Sequence, residues 1–215
     1  MIKALMFDVD GVVNDYSSGG YVEYLVSCAE VRGRSFGDRE LGEIRLRLVS
    51  AEKDYLEGRS DVGTFEKRIA DEYGIGIDEV QWVARYKDTK ANPEVVGLIG
   101  SLREKGYPVA FITNATAEGA VITRKFAKYA DVFVAACDVG IAKPERGIFD
   151  IAMGRIAGKF GIDLSYGDVV FIDDSRVNVE GARRIGIDSI LFSGADMLIE
   201  ELRSRGVGVR ERKKA

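Results

Sequence analysis

The sequence predicts an α/β fold: a parallel β-sheet with helices on both faces, interrupted after its first strand by an all-helical insertion. Three observations lead there. Short, almost wholly apolar runs recur at 2–7, 109–112, 132–135, 169–172 and 189–192, as strands buried on both faces require. Between the later runs, apolar residues recur at helical spacing. Residues 21–90 contain no strand-like run, only charged segments of helical period. Strands alternating with helices pair in parallel and are covered on both sides.

The first strand is Ile2, Ala4, Leu5, Met6 and Phe7, and it ends at Asp8-Val9-Asp10-Gly11. Residues 14–20, Asn-Asp-Tyr-Ser-Ser-Gly-Gly, read as a loop and hinge. In the insertion, Tyr21, Leu25, Cys28 and Ala29 share one helical face, and Leu41, Ile44, Leu48, Ala51 and Tyr55 another. A third helix starts near Asp61, capped by Ser60 or Asp61 and closed by Gly74, and a fourth covers 78–87. Pro93 suits the first turn of the next helix, which Gly106 ends. The strand at 109–112 leads through Thr113-Asn114 into a helix over 117–129. The strand at 132–135 leads past Lys143 into a helix over 144–160. The strand at 169–172 ends in Asp173-Asp174-Ser175 before a helix over 177–185 closed by Gly186. The last strand precedes a helix over 195–203.

The 215 residues suit one large domain or a core domain with a smaller insertion. At 46% hydrophobic and 31% charged, the chain has ample material for a core. It has no apolar run near the roughly 18 residues that span a bilayer, and its first residues lack the pattern of a signal peptide. A cytoplasmic protein is expected. Cys28 and Cys137 lie far apart among apolar or small residues, which suggests buried free thiols. A net charge of −4 gives no nucleic-acid signal; the basic stretch at 210–214 reads as a solvated end. Histidine is absent. That excludes Ser-His-Asp and Cys-His catalysis and His-ligated metals. Hydrolytic chemistry would have to run on carboxylates, lysine, hydroxyls and an oxygen-bound metal.

In parallel sheets, ligands bind beyond the carboxyl ends of the strands. Here those ends offer Asp8, Thr113-Asn114, Asp173-Asp174 and, in the loop after the third strand, Lys143. In an extended chain, Asp8 and Asp10 would point the same way. Two such carboxylates repel unless a cation or shared proton relieves them, and Mg2+ is the natural oxygen-seeking candidate. Each residue also has a plainer role open to it. Thr113 could cap the following helix, Asp173-Asp174-Ser175 could be an N-cap cluster, and Lys143 could be a solvated loop lysine.

Asp8-Val9-Asp10-Gly11-Val12, Phe111-Ile112-Thr113-Asn114, Lys143-Pro144 and Phe171-Ile172-Asp173-Asp174 together resemble the four ordered motifs of the haloacid dehalogenase (HAD) superfamily. Gly140-Ile141-Ala142-Lys143-Pro144-Glu145 and Asp173-Asp174-Ser175-x-x-Asn178 resemble its branch of small-metabolite phosphatases, phosphoglucomutases and dehalogenases. The resemblance implies a Rossmann-like core domain, residues 1–14 and 91–215, with a helical cap domain, residues 15–90. It implies Asp8 as nucleophile, Asp10 as general acid and base, and Thr113, Asn114 and Lys143 as the phosphate-binding groups. Mg2+ would be bound by Asp8, Asp10 (through its backbone carbonyl) and Asp174, with Asp173 as a further or outer ligand and Asn178 and Ser175 behind them. An aspartate at position 10 marks the family's phosphate-transfer members and disfavours a dehalogenase. Phosphonate hydrolysis would need a Schiff-base lysine from the cap, where Lys53, Lys67 and Lys87 are present.

The expected function is therefore a Mg2+-dependent phosphatase of a small phosphorylated metabolite, with no nucleic-acid or membrane partner. The alternatives are a phosphomutase using the same residues, or a non-catalytic, metal-stabilised binding or regulatory module. Tyr16, Tyr21, Arg45, Lys53, Tyr55 and Trp82 are conceivable substrate contacts, the cap turning on a hinge at Ser17-Ser18-Gly19-Gly20.

Overall fold

The five apolar runs become β1 (Ala4–Phe7), β2 (Val109–Thr113), β3 (Val132–Ala135), β4 (Val169–Asp173) and β5 (Asp188–Leu191). The structure, a computed structural model, describes residues 1–16, 18–84 and 89–209. The strands form a five-stranded sheet in the order β3-β2-β1-β4-β5, with every pairing parallel. From β1 the chain builds outward to β2 and β3 on one side, then returns to add β4 and β5 on the other. The carboxyl end of β1 is thus the topological switch point where open α/β sheets place ligands.

Period-two alternation divides the strand residues between two cores. Leu5, Phe7, Val109, Phe111, Val170 and Ile172 line one face, and Ala4, Met6, Ala110, Ile112, Val169 and Phe171 the other. Covering both faces explains why these runs are continuously apolar.

Between β1 and β2 lie α1 (Ser18–Val31), α2 (Asp38–Leu56), α3 (Val62–Tyr73) and α4 (Ile77–Val80). They have a hydrophobic cluster of their own, which includes Leu25, Ile44, Phe65, Ile69, Tyr73 and Trp82. The chain then forms α5 (Pro93–Glu104), α6 (Ala117–Thr123), α7 (Ala136–Val139), α8 (Arg146–Phe160), α9 (Arg176–Arg184) and α10 (Ala195–Ser204). Leu98, Ile99 and Leu102 of α5 and Leu198 and Leu202 of α10 cover one face of the sheet. Ile148, Phe149, Ala152 and Ile156 of α8 and Ala182 of α9 cover the other.

The two connections between helical insertion and sheet lie side by side. Asn14 and Ala91 form an antiparallel bridge, the Asp15 N–H donates to the Lys90 carbonyl at 3.0 Å, and the Lys90 N–H donates back to Asp15 Oδ1 at 2.7 Å.

Several expectations need correction. The stretch at 14–20 is not all loop: α1 begins at Ser18, so Gly19 and Gly20 lie in its first turn. Ser17, the remaining hinge residue, lies outside the described residues, as do Lys87 and the basic stretch at 210–214. Of the helix expected over 78–87, α4 ends at Val80, where Gln81 takes a left-handed conformation (φ +46°), and residues 85–87 lie outside the described residues. Asp61 rather than Ser60 caps α3, its Oδ1 accepting the Thr64 N–H at 2.7 Å. The helix over 117–129 is α-helical only to Thr123 and tightens to a 3-10 helix over Arg124–Tyr129. The short helix α7 was not anticipated, and α8 begins two residues beyond Pro144. Among the described residues, no helix is long and apolar enough to cross a membrane.

Candidate active site

Register explains which carboxylates meet. Phe7 pairs with Ile172, and the ladder continues as the Asp8 N–H donates to the Ile172 carbonyl at 2.8 Å. Asp8 and Asp173 are therefore equivalent positions on neighbouring strands, one residue past a paired couple. Their side chains leave the same face of the sheet next to each other. Asp10 gets its place differently. The strand stops at Phe7, and the chain turns at once, with the Val13 and Asn14 N–H groups donating to the Val9 carbonyl at 2.9 and 3.0 Å. The expectation that Asp8 and Asp10 align as alternate residues of one strand is thus corrected: the strand partner of Asp8 is Asp173, and Asp10 reaches the rim on a turn.

Two buried carboxylates side by side need a cation, and Lys143 supplies it. Its ammonium stands 2.7 Å from Asp8 Oδ1 and 2.7 Å from Asp173 Oδ2, with only 1% of the side chain exposed. Burial works against this charge, but attraction from Asp173 and Asp8 outweighs it and holds the ammonium above the usual lysine range. Lys143 is therefore a fixed charge and not a solvated loop lysine. Asn114 pins the loop that carries it. The Lys143 N–H donates to Asn114 Oδ1 at 2.7 Å, and Asn114 Nδ2 donates to the Lys143 carbonyl at 3.0 Å.

Asp173 is fully buried. Besides Lys143, it accepts from the Ser175 N–H at 2.8 Å and from Asn178 Nδ2 at 3.1 Å on each oxygen. Ser175 and Asn178 thus stand behind Asp173. Asp174 opens to solvent at the rim. Gly11 makes room for it: with φ at +82°, Gly11 lies so close that a Cβ there would sit 2.4 Å from Asp174 Oδ2.

Oxygens of Asp8, Asp173 and Asp174 all lie within 4.8 Å of one another. Burial and the neighbouring Asp173 raise the Asp8 carboxyl well above its ordinary pKa, against the lowering effect of Lys143; Asp10 adds to the rise. Asp174 is raised too, by the protein around it and by Asp173, again against Lys143. Crowded carboxylates whose ionised forms are disfavoured are poised to accept a hard cation, and an all-oxygen set suits Mg2+. Asp173 already has its lone pairs engaged, so Asp8 and Asp174 fit as the direct ligands. The Asp10 carboxylate is not part of this cluster.

Thr113 is fully buried, and its hydroxyl donates to Asp10 Oδ2 over a long 3.4 Å. Capping of α6 falls instead to Thr116, which accepts the Gly119 N–H at 3.1 Å. One residue at the site escaped sequence reasoning. Asn14 is 1% exposed and donates from Nδ2 to Asp10 Oδ1 at 2.8 Å. Its spacing of four from Asp10 was the available signal, hidden because Asn is also an ordinary turn residue.

The insertion meets the sheet near this rim through the end of α2. The Tyr55 hydroxyl donates to Glu118 Oε2 at 2.5 Å, Lys53 pairs with Glu145 at 2.5 Å, and Leu56 joins one core of the sheet. Tyr21 donates to the Val80 carbonyl at 2.6 Å and packs on Trp82, so both serve the insertion's own core. Arg45 is exposed, Lys67 pairs with Asp71, and the Tyr16 N–H donates to Asn14 Oδ1.

The family model described as haloacid dehalogenase-like hydrolase matches residues 2–186. Among curated relatives, (S)-2-haloacid dehalogenase 1 of Pseudomonas sp. (strain CBS-3) is 23% identical over 199 residues, 88% of this chain and 83% of that protein. Mouse acyl-CoA dehydrogenase family member 10 is 29% identical over 116 residues, 53% of this chain; the match spans only 10% of that protein's length. Among solved structures, a HAD family enzyme of Bacteroides thetaiotaomicron, in complex with magnesium and inorganic phosphate, superposes with a TM-score of 0.62. It is 21% identical, with 90% of this chain and 95% of that one covered.

Proposed function

Because the chain belongs to the haloacid dehalogenase-like hydrolase family, we propose that it is a Mg2+-dependent phosphatase acting on a small phosphorylated metabolite through an aspartyl-phosphate on Asp8. The observation that carries this reading is the second carboxylate, Asp10, held on the same rim by Asn14 and Thr113. A departing halide needs no proton. A departing alkoxide does, and a positioned carboxylic acid provides it. A nucleophilic carboxylate paired with a proton donor suits a phosphate ester better than a carbon–halogen bond.

In the first step an Asp8 carboxylate oxygen attacks phosphorus while the bond from phosphorus to the leaving oxygen breaks, and the Asp10 carboxyl proton passes to that oxygen. In the second, water attacks the aspartyl-phosphate, Asp10 takes the water's proton, and the Asp8 carboxylate and inorganic phosphate are released. Lys143 offsets the charge on the transferring group. The Thr113 hydroxyl and Asn114 N–H hold phosphoryl oxygens. Asp8, Asp174 and the Asp10 carbonyl would hold Mg2+, with Asp173 behind them; when bound, the ion supplies charge neutralisation between carboxylate and phosphate. The Bacteroides structure, a complex with magnesium and inorganic phosphate, supports Mg2+ and a phosphoryl group as the ligands of this reading.

In this reading residues 15–90 form a cap over a core of residues 1–14 and 91–215. The cap excludes bulk water and selects the substrate, with Tyr55 and Lys53 on the face that meets the core. The test is phosphate release from p-nitrophenyl phosphate and a broad panel of phosphate monoesters, with and without Mg2+, beside halide release from (S)-2-haloacids. Mg2+-dependent phosphate release is expected. Halide release without phosphate release would sink the proposal.

A further inference from the structure

We infer that Asn14 is a positioning residue for the proton transfer at Asp10 and that it ties this transfer to the hinge of the helical insertion. The inference rests on the phosphatase reading and goes beyond it by naming what orients the acid. Asn14 Oδ1 accepts two backbone N–H groups, Gly11 and Tyr16, each at 3.1 Å. Those two contacts fix which end of the amide is oxygen, leaving Nδ2 facing Asp10 Oδ1 at 2.8 Å. An amide NH2 only donates. Asp10 Oδ1 is therefore held as an acceptor, and the transferable proton belongs on Oδ2: its neighbour, the Thr113 hydroxyl at 3.4 Å, unlike an amide NH2, accepts a hydrogen bond as readily as it donates one. One side chain thus selects both the rotamer of Asp10 and the oxygen that carries its proton.

The backbone of the same residue belongs to the hinge. Asn14 bridges Ala91, the Asn92 N–H donates to the Val13 carbonyl at 2.8 Å, and Asp15 and Lys90 exchange bonds one residue further out. Asn92 in turn caps α5, its Oδ1 accepting from Glu94 and Val95. A motion of the insertion about these paired connections carries the Asn14 amide with it. Asp10 is therefore held for proton transfer when the connections are paired as they are here.

The test compares two leaving groups. An alkyl phosphate needs its leaving oxygen protonated, whereas p-nitrophenolate departs with little help. Asn14→Asp keeps the side-chain size and an acceptor for the Gly11 and Tyr16 N–H groups but removes the donor to Asp10. Its ratio of kcat for an alkyl phosphate to kcat for p-nitrophenyl phosphate is expected to fall about 10- to 100-fold, part of the range general acids supply, with KM for either substrate changing far less. Asn14→Ala is expected to lower the ratio as well. Because the ratio cancels the amount of folded enzyme, a poor yield of either variant does not blur it. An unchanged ratio, with both rates falling together or neither falling, would overturn the inference. Failure of the wild type to release phosphate from either ester would instead overturn the phosphatase reading.

Discussion

Replacing Lys143 with methionine keeps an unbranched apolar stem and deletes the charge between Asp8 and Asp173. At 2.7 Å each contact carries a gross attraction of about 6 kcal/mol for an effective dielectric of about 20. Desolvation of the three buried charges takes back much of this, and removing one partner of a buried pair typically costs a net of about 3–5 kcal/mol. Two carboxylates are orphaned here, with oxygens within 4.8 Å of each other, which places the loss at the upper end. The variant has one escape, protonation of Asp8, whose pKa burial and Asp173 already raise. A carboxyl with a raised folded pKa binds its proton more tightly folded than unfolded. Its favourable contribution is complete below the unfolded carboxylate pKa and is lost as pH rises through the folded one. Urea unfolding in the presence of EDTA should therefore show a deficit of about 4–5 kcal/mol at pH 8 that narrows steadily toward acid pH. A deficit below about 1 kcal/mol at pH 8, or one that does not change with pH, would refute the view that Lys143 neutralises this pair.

Other residues give sharper local tests. Gly11→Ala forces a side chain into a left-handed conformation, costing about 1–2 kcal/mol, and drives its Cβ into Asp174; calorimetric titration should show Mg2+ affinity reduced at least ~10-fold, and an unchanged affinity would remove Asp174 from the metal site. Asp8→Asn should abolish phosphate release while leaving the circular dichroism spectrum unchanged, and activity near wild type would move the nucleophile elsewhere. Burial and Asp138 push the Cys137 thiol up to about 11, so in a Cys28→Ser background its reaction with a disulfide reagent should quicken about tenfold per pH unit between pH 7 and 10; a rate that levels off near pH 8 would contradict that environment.

The sheet was legible because its strands are short apolar runs ending in polar residues. That pattern alone brought Asp8, Thr113, Lys143 and Asp173-Asp174 to one rim. Less legible was how they are arranged there. Sequence spacing paired Asp8 with Asp10, but cross-strand register pairs Asp8 with Asp173, and register is a property of two segments 165 residues apart. The distinction between Asp173 and Asp174 followed the same course. One is buried under Lys143 and Asn178 and the other faces the space left by Gly11, and neither environment can be read from two adjacent aspartates. Asn14 was hidden for another reason: turn asparagines are common, and only its buried amide on Asp10 marks it out. In the insertion, helical period marked α2, and cap residues marked α3, whose ends fall at Asp61 and Gly74. The fourth helix stops at Val80, because Gln81 breaks it without a glycine or proline to announce the end.

The central claim is that Asp8 carries the phosphoryl group. The most direct test mixes the protein with Mg2+ and an excess of a phosphate monoester that it turns over, quenches in acid within milliseconds, and maps the modified peptide by mass spectrometry. A phosphoryl group on Asp8 in the wild type, and none in Asp8→Asn, is the predicted result. Rapid phosphate release with no trapped phosphoryl group, or one found on another residue, would contradict it.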